Sequence, residues 1–427
     1  MERYREYKNS GVYYIPQIPS EWNVLKGKIL FKQEKRPVNK EDEIVTCFRD
    51  GEVTLRKNRR LEGFTNSLKE IGYQGIRKGD LVIHNMDAFA GAIGVSDSDG
   101  KGTPVYAVCT PITEDANQFY YCYLLRFLAK TGFIQSLAKG IRERSTDFRY
   151  GDFKELLLPV PSRAEQDAIV RYLDSATSEI DKAIAMQQKM IDLLNERKQI
   201  IIQNAVTKGL DENVEMKESG VEWIGSIPKH WEVRKIKTVA NFNPLPQRKF
   251  QQDEIVGYLP MERLGLGSMN PSEISYGKMP VGLNYIEDGD VVIAKVTPCF
   301  ENGKIAIAKN LKNGCAFGTS EIYVYRPIKI DSVFLLYSLQ NEQLKNKCAS
   351  TMMGTGGLKR VNASFAKNVY ITFPPTEKEQ NEIGLFLENK ISTFNKTIEN
   401  IQRQITLLQE RKQIIINEVV TGKVRVL

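Results

Sequence analysis

Residues 10–28, SGVYYIPQIPSEWNVLKGK, return as SGVEWIGSIPKHWEVRKIK at 219–237, displaced by a constant 209 positions. Ser10, Gly11, Val12, Ile15, Ile18, Pro19, Trp22 and Val24 all meet identical partners there. A second pair closes each half: residues 163–207 reappear as 377–421, now displaced by 214, and both carry the run ERKQIII. A duplication this long constrains the fold more than any composition does, because each copy must obey the same local rules. The growth of the displacement from 209 to 214 accumulates in the stretches between, which differ in length and mostly in sequence. A shared frame with unlike inserts is the expectation. One marker inside the inserts survives, GDLVIHNMDAFAGAIGV from Gly79 and GDVVIAKVTPCFENGKIAI from Gly289, each patterned as strand, turn and strand.

The closing segments predict two long helices. Ser162 with Glu165, and Thr376 with Glu379, form capping-box patterns just after Pro161 and Pro375. From there Ile180, Ile184, Gln187, Ile191, Leu194, Lys198, Ile201 and Ala205 alternate steps of four and three. Phe394, Ile398, Ile401, Ile405, Leu408, Lys412, Ile415 and Val419 keep the same register in the second copy. Gly209 and Gly422 stand where left-handed caps would end the helices. About forty residues each, at roughly 1.5 Å per residue, give rods of about 60 Å. An apolar stripe of that length needs a partner surface, and the economical partner is the other copy, antiparallel because the chain must return. Lys198 and Lys412 are expected to weaken the seam locally, and Gln187 to face apolar neighbours of the Ile401 type.

A chain of 427 residues exceeds the size at which single cores stop growing. Between the repeats, short apolar runs bounded by Gly, Asp and Asn recur, with helical stretches at 118–128 and 332–344. The expected fold is α+β: two mixed α/β domains in a pseudo-twofold arrangement, separated by two long antiparallel coiled-coil helices. The borders follow the repeat, with a first domain at 1–162, a first spacer helix at 163–209, a second domain at 210–375, and a second spacer helix with tail at 376–427.

Composition removes several function classes. His84 and His230 are the only histidines, leaving little material for histidine metal sites or catalytic triads. The six cysteines are scattered without a CxxC pair or a signal peptide, as expected of reduced thiols in a cytoplasmic protein. No stretch of about 18 apolar residues could span a membrane. Asn243-Pro244-Leu245-Pro246 lacks the aromatic of an amide-Pro-Pro-aromatic methyltransferase motif, and the glycines at 354, 356 and 357 lack phosphate-loop spacing. The acid-x-Lys triplets at 196–198 and 410–412 fall in the long helices, so no catalytic, cofactor-binding or metal residue is assigned.

A net charge of +8 permits a polyanionic partner. Phosphates and guanine call for Arg and Lys, adenine for Asn and Gln. Candidate DNA-binding residues in the first domain are Arg56, Lys57, Asn58, Arg59 and Arg60, then Arg142, Arg144 and Arg149. In the second they are Gln247, Arg248 and Lys249, then Lys359 and Arg360. Phe64, Tyr73 and Tyr150 are assigned to packing.

The order of domain, helix ending in LLNERKQIII, domain, helix ending in LLQERKQIII resembles the specificity subunits of Type I restriction-modification enzymes. Two GVxxIxxIPxxW openings, the P-x-x-x-E-Q starts at Pro161 and Pro375, and the segment from Gly79 strengthen the resemblance, which covers essentially the whole chain. It implies a non-catalytic chain with two target recognition domains. Each would read one half of an asymmetric bipartite DNA site, and the helices would set the gap. It also implies two modification subunits that methylate adenine, and restriction subunits in the full enzyme. S-adenosylmethionine, Mg and ATP are expected only on those partners. Two rivals stay open: a specificity subunit of a Type II bipartite-site system, and a coiled-coil adaptor whose domains bind no nucleic acid. Steeply salt-dependent DNA binding would separate the adaptor from the others.

Overall fold

A computed structural model describes residues 2–59, 71–137, 147–354 and 357–426. The chain packs into two compact units, Met1–Gln187 with Arg403–Leu427, and Gln188–Gln402. The first unit therefore takes the head of one long helix and the tail of the other, and the second unit takes the remainders.

In the first unit, four antiparallel strands lie in the order Phe31–Glu34, Tyr106–Pro111, Leu81–His84 and Ile93–Val95. Leu81 and Ile83 pack with Tyr120, Tyr121, Leu124 and Leu128 of the helix Gln118–Lys130. Val82, on the opposite face, packs with Val45, Cys47, Val53 and Ile76 of a second layer of short strands. Side chains alternate across a strand, so a strand covered on both faces reads as an unbroken apolar run. That is why the marker segment begins Leu-Val-Ile.

The second unit repeats this sheet in the same order, as Ala240–Phe242, Ile322–Pro327, Val291–Ala294 and Ile305–Ile307. Val291 and Ile293 pack with Phe334 and Leu335 of the helix Ser332–Gln340, and Val292 faces the other way. Its second layer differs. There a four-stranded sheet, Ser272–Ser275, Ile255–Leu259, Cys315–Gly318 and Asn284–Glu287, includes one parallel pairing. The inserts thus share a whole sheet, more than the single marker suggested, and diverge in the layer behind it.

Both markers open on a buried aspartate. Asp80 and Asp290 accept the backbone N–H of Arg77 and Glu287, each at 2.7 Å. Arg36, just past the first strand, forks onto Asp80, whereas Arg326, inside the second strand, forks onto Asp290. A buried carboxylate must be paired, and the two units draw the cation from different strands.

The long helices span Arg163–Lys208 and Glu377–Val420. In the first unit Lys412 binds both oxygens of Asp181, at 2.7 and 2.6 Å, and Gln187 bonds Gln404 at 3.1 Å. Partner numbers fall as residue numbers rise, so these stretches run antiparallel. Ile180 and Val419 are buried there; Ile184, Ile405, Leu408 and Ile415 are partly buried. In the second unit Ile191, Ile401 and Ala205 are buried, and Leu194, Ile201, Phe394 and Ile398 partly so.

Two local expectations, on Gln187 and on the capping boxes, need correction. Gln187 meets another amide rather than an apolar side chain, and its Oε1 is buried without a partner. The seam lysines both have partners, Asp181 for Lys412 and Asn395 for Lys198 at 3.2 Å, and burial disfavours the Lys198 charge as the expected local weakening requires. Only half of each capping box forms: the Ser162 and Thr376 hydroxyls accept from the N–H of Glu165 and Glu379, while the two carboxylates are drawn elsewhere. Gly209 and Gly422 do adopt left-handed φ, +75° and +73°.

Candidate nucleic-acid interface

A reading domain can act only if it is held firmly on its support, and the repeated residues do this. In the first unit the indole N–H of Trp22 donates to Glu165 at 3.1 Å, and the Tyr4 hydroxyl donates to the same carboxylate. In the second, Trp231 donates to Glu379 at 2.8 Å, and His230 Nε2 lies 3.1 Å from it. Burial and the neighbouring carboxylate both push the Tyr4 phenol well above its ordinary value, so it stays a donor. The next residue works as a second clamp. Gln166 Oε1 accepts the N–H of Asn117, which itself caps the helix Gln118–Lys130, and its amide donates to Pro161 and Asp115 carbonyls. Gln380 likewise accepts from Asp331, cap of Ser332–Gln340, and donates to Pro374. The P-x-x-x-E-Q pattern is therefore a domain-to-helix joint.

The other ends of the helices lock against the same tryptophans. A Cβ on Gly422 would lie 2.9 Å from Trp22, and one on Gly209 3.3 Å from Trp231. Val420 accepts from the Tyr120 hydroxyl at 3.1 Å, and Val206 from Thr372.

The candidate DNA-binding residues are distributed over exposed turns. Arg56–Asn58 form one turn, following the strand Val53–Leu55. Arg56 Nε donates to Thr46 at 3.2 Å, Lys57 pairs with Glu43, and Asn58 donates to Thr54 at 2.9 Å. Arg59 lies between Asp50 and Glu52, at 2.7 and 2.8 Å, over the Phe48 ring. Arg149 pairs with Asp147. Arg60, Arg142 and Arg144, with Phe64, lie outside the described residues. Tyr150 packs against the first core and donates to the Phe31 carbonyl at 3.0 Å.

In the second unit Gln247, Arg248 and Lys249 share an exposed loop. Arg248 forks onto Glu254 and lies 4.0 Å above the Phe250 ring, which stacks on Tyr276. Lys359 and Arg360 end a return loop that pairs Met353 with Arg360 and bonds Lys359 to Thr297. Arg360 forks onto Glu321, which it holds below the ordinary carboxylate range, with Lys295 adding to the pull. The structure thus gathers Lys295 and Arg360 around one carboxylate. Lys295 was missed from sequence, although it follows the marker strand directly. Its counterpart by count from the marker glycines is Asn85, whose Oδ1 is buried without a partner.

The long helices also carry exposed apolar residues outside the seam. Leu193 and Ile200 are 54% and 52% exposed, and their equivalents Leu407 and Ile414 are 57% and 54% exposed. Among the described residues no helix is long and apolar enough to cross a membrane.

Comparison with known proteins agrees with this geometry. Residues 228–407 match the family model of the Type I restriction modification DNA specificity domain. The EcoEI specificity subunit of Escherichia coli is 31% identical over 194 residues, 44% of this chain and 32% of that protein. The chain thus spans about a third of the length of that relative and of the similar EcoAI subunit. The MjaVIII specificity subunit of Methanocaldococcus jannaschii is 26% identical over 73% of this chain and 71% of its own length. The putative MjaX subunit of the same organism is 24% identical over 96% of both. A chain from a Type I R-M system, solved in a study of its assembly and conformational transition, superposes with a TM-score of 0.72 at 14% identity, covering 95% of this chain and 99% of that one. The HsdS subunit from Thermoanaerobacter tengcongensis gives 0.52 at 16% identity, with 95% and 98% covered.

Two sheet-and-helix domains, each clamped to a pair of long helices, make up a fold shared with these two solved chains. The chain is similar to the specificity subunits of Type I restriction-modification enzymes, and its residues 228–407 match their DNA specificity domain.

Proposed function

We propose that each unit reads one half of an asymmetric, bipartite DNA site and that the long helices set the unread gap between the halves. The observation that carries this is one frame built twice with two unlike second layers. Equivalent Trp–Glu and Gln joints hold each domain on its helices, and the turns bearing Arg56–Arg59 and Gln247–Lys249 differ completely. Two half-sites read at fixed spacing need such a division between invariant support and variable reader.

The same reading assigns partners. Leu193 with Ile200, and Leu407 with Ile414, leave matched apolar pairs in water, as a docking surface used twice would require. Two modification subunits fit that duplication. They would supply S-adenosylmethionine and methylate adenine, and restriction subunits using Mg and ATP would complete the enzyme in the cytoplasm.

Sequencing of methylated bases in a cell carrying this chain with its modification subunit is the test. A split adenine-containing motif should appear, vanish when the chain is deleted, and change its gap when about four residues, roughly one helical turn, are inserted between Ile180 and Leu194. Methylation motifs indifferent to the chain would refute the assignment.

A further inference from the structure

The first unit holds a cavity of about 600 Å³ between the helix Gln118–Lys130 and the paired long helices. Arg126, Lys130 and Lys412 line it, with Asp50, Asp181 and Gln409 among the remaining walls. Its charges do not balance locally. Asp181 commits both oxygens to Lys412, and Asp50 holds Arg59 at 2.7 Å. Arg126 packs on the loop at Gly51 and donates one terminal nitrogen to the Asp50 carbonyl, but its Nε is buried with no hydrogen-bond partner. The Lys130 amine is pushed below its ordinary value by burial and then by Arg126 and Lys412, so the charges acting on it are both cations.

We propose that this cavity binds a phosphate-class oxyanion, with the Arg126 guanidinium and Lys130 Nζ as its donors. An anion there would relieve the crowding of like charges in a partly desolvated place. A guanidinium beside an ammonium suits phosphate, the first by its planar fork and the second as a point charge. The volume lies within the range of ligand pockets and exceeds what a bare ion fills, so the phosphoryl group belongs to something larger. A DNA backbone phosphate and a free phosphate ester share this chemistry.

Among the described residues the second unit does not repeat this pair of cations. By count from the caps Asn117 and Asp331, Gln340 and Leu344 stand where Arg126 and Lys130 stand. Lys198, the equivalent of Lys412, faces the neutral Asn395. The site is a property of one unit and does not follow from the duplication.

The test uses the full chain, inorganic phosphate as one probe and a short DNA duplex as the other. Arg126→Gln and Lys130→Gln are compared with Lys198→Gln as control. Lys130 makes no ion pair among the described residues, so its variant should melt like the wild type and still respond. If the source is a free phosphate ester, calorimetry should detect phosphate binding that weakens at least about tenfold in either variant. If it is the DNA backbone, phosphate alone will bind negligibly. The slope of log affinity against log salt should then fall by about one for each cation removed, with the control unchanged. Absence of phosphate binding, together with an unaltered slope or no DNA binding by the wild type, overturns the site. Failure of the DNA-reading proposal alone would leave the phosphate arm intact.

Discussion

Trp22 and Trp231 occupy equivalent places in the two units, yet the carboxylates they bond keep different company. Glu165 is buried and shared with Tyr4, whereas Glu379 is partly exposed and shared with His230. The glutamines beside them, Gln166 and Gln380, are buried equally well and do the same work. Behind the common sheet the likeness ends, with short two-stranded ribbons in one unit and a four-stranded sheet in the other. The two units are therefore alike unequally with depth: the joint to the helices is nearly the same in both, the joint's polar periphery differs in part, and the outer layer differs in its strand order.

That gradient can be broken at its tightest point. Gly422→Ala would place a Cβ 2.5 Å from Pro19 and 2.9 Å from Trp22 at a left-handed φ, and should cost about 3 kcal/mol. Gly209→Ala meets Trp231 at 3.3 Å, where a few tenths of an ångström suffice, and should cost about 1–2 kcal/mol. Chemical denaturation of the full chain measures both, and equal losses would mean the helix ends are not seated differently.

The glutamine clamps offer the complementary comparison. Gln166→Ala and Gln380→Ala each strand a buried cap N–H, and each should cost about 2–3 kcal/mol. Gln166 also loses its bond to the Asp115 carbonyl, so its variant should be slightly the worse. A negligible loss at either position would show that the joint rests on apolar packing instead.

The smallest effect concerns the seam. Burial holds the Lys198 amine below its usual 10.5, so the folded unit disfavours its charge at neutral pH. Stability linked to this group should rise as pH climbs from the folded value toward 10.5, and Lys198→Met should abolish that rise while leaving neutral stability unchanged or up to about 1 kcal/mol higher. Lys412→Met, which deserts Asp181, should instead lower stability by less than about 1 kcal/mol. Urea titrations from pH 7 to pH 10 distinguish the two.

Much of this architecture was legible because its signals are local. Helix starts at Ser162 and Thr376, ends at Gly209 and Gly422, and the four-three seam all depend on residues a few positions apart. The use of Glu165 and Glu379 was not legible in the same way. A capping-box spacing suggested a bond within the turn, and the stronger donor, an indole N–H, arrives from Trp22 far back along the chain. The common sheet was hidden for a related reason, since strands buried on both faces accept many apolar sequences without losing their order. The pairing of the described basic turns with Asp50, Glu254 and Glu321 depends on side chains that only the fold brings near.

The division of the long helices also sets a timetable. Unit two is a continuous stretch, residues 188–402, and can close as soon as it leaves the ribosome. Unit one places Ile416, Val419 and Val420 in the same core as Trp22 and Tyr120. The domain translated first is thus sealed last, its apolar floor uncovered while another domain is being made, and it is there that nascent chains would need shelter from aggregation.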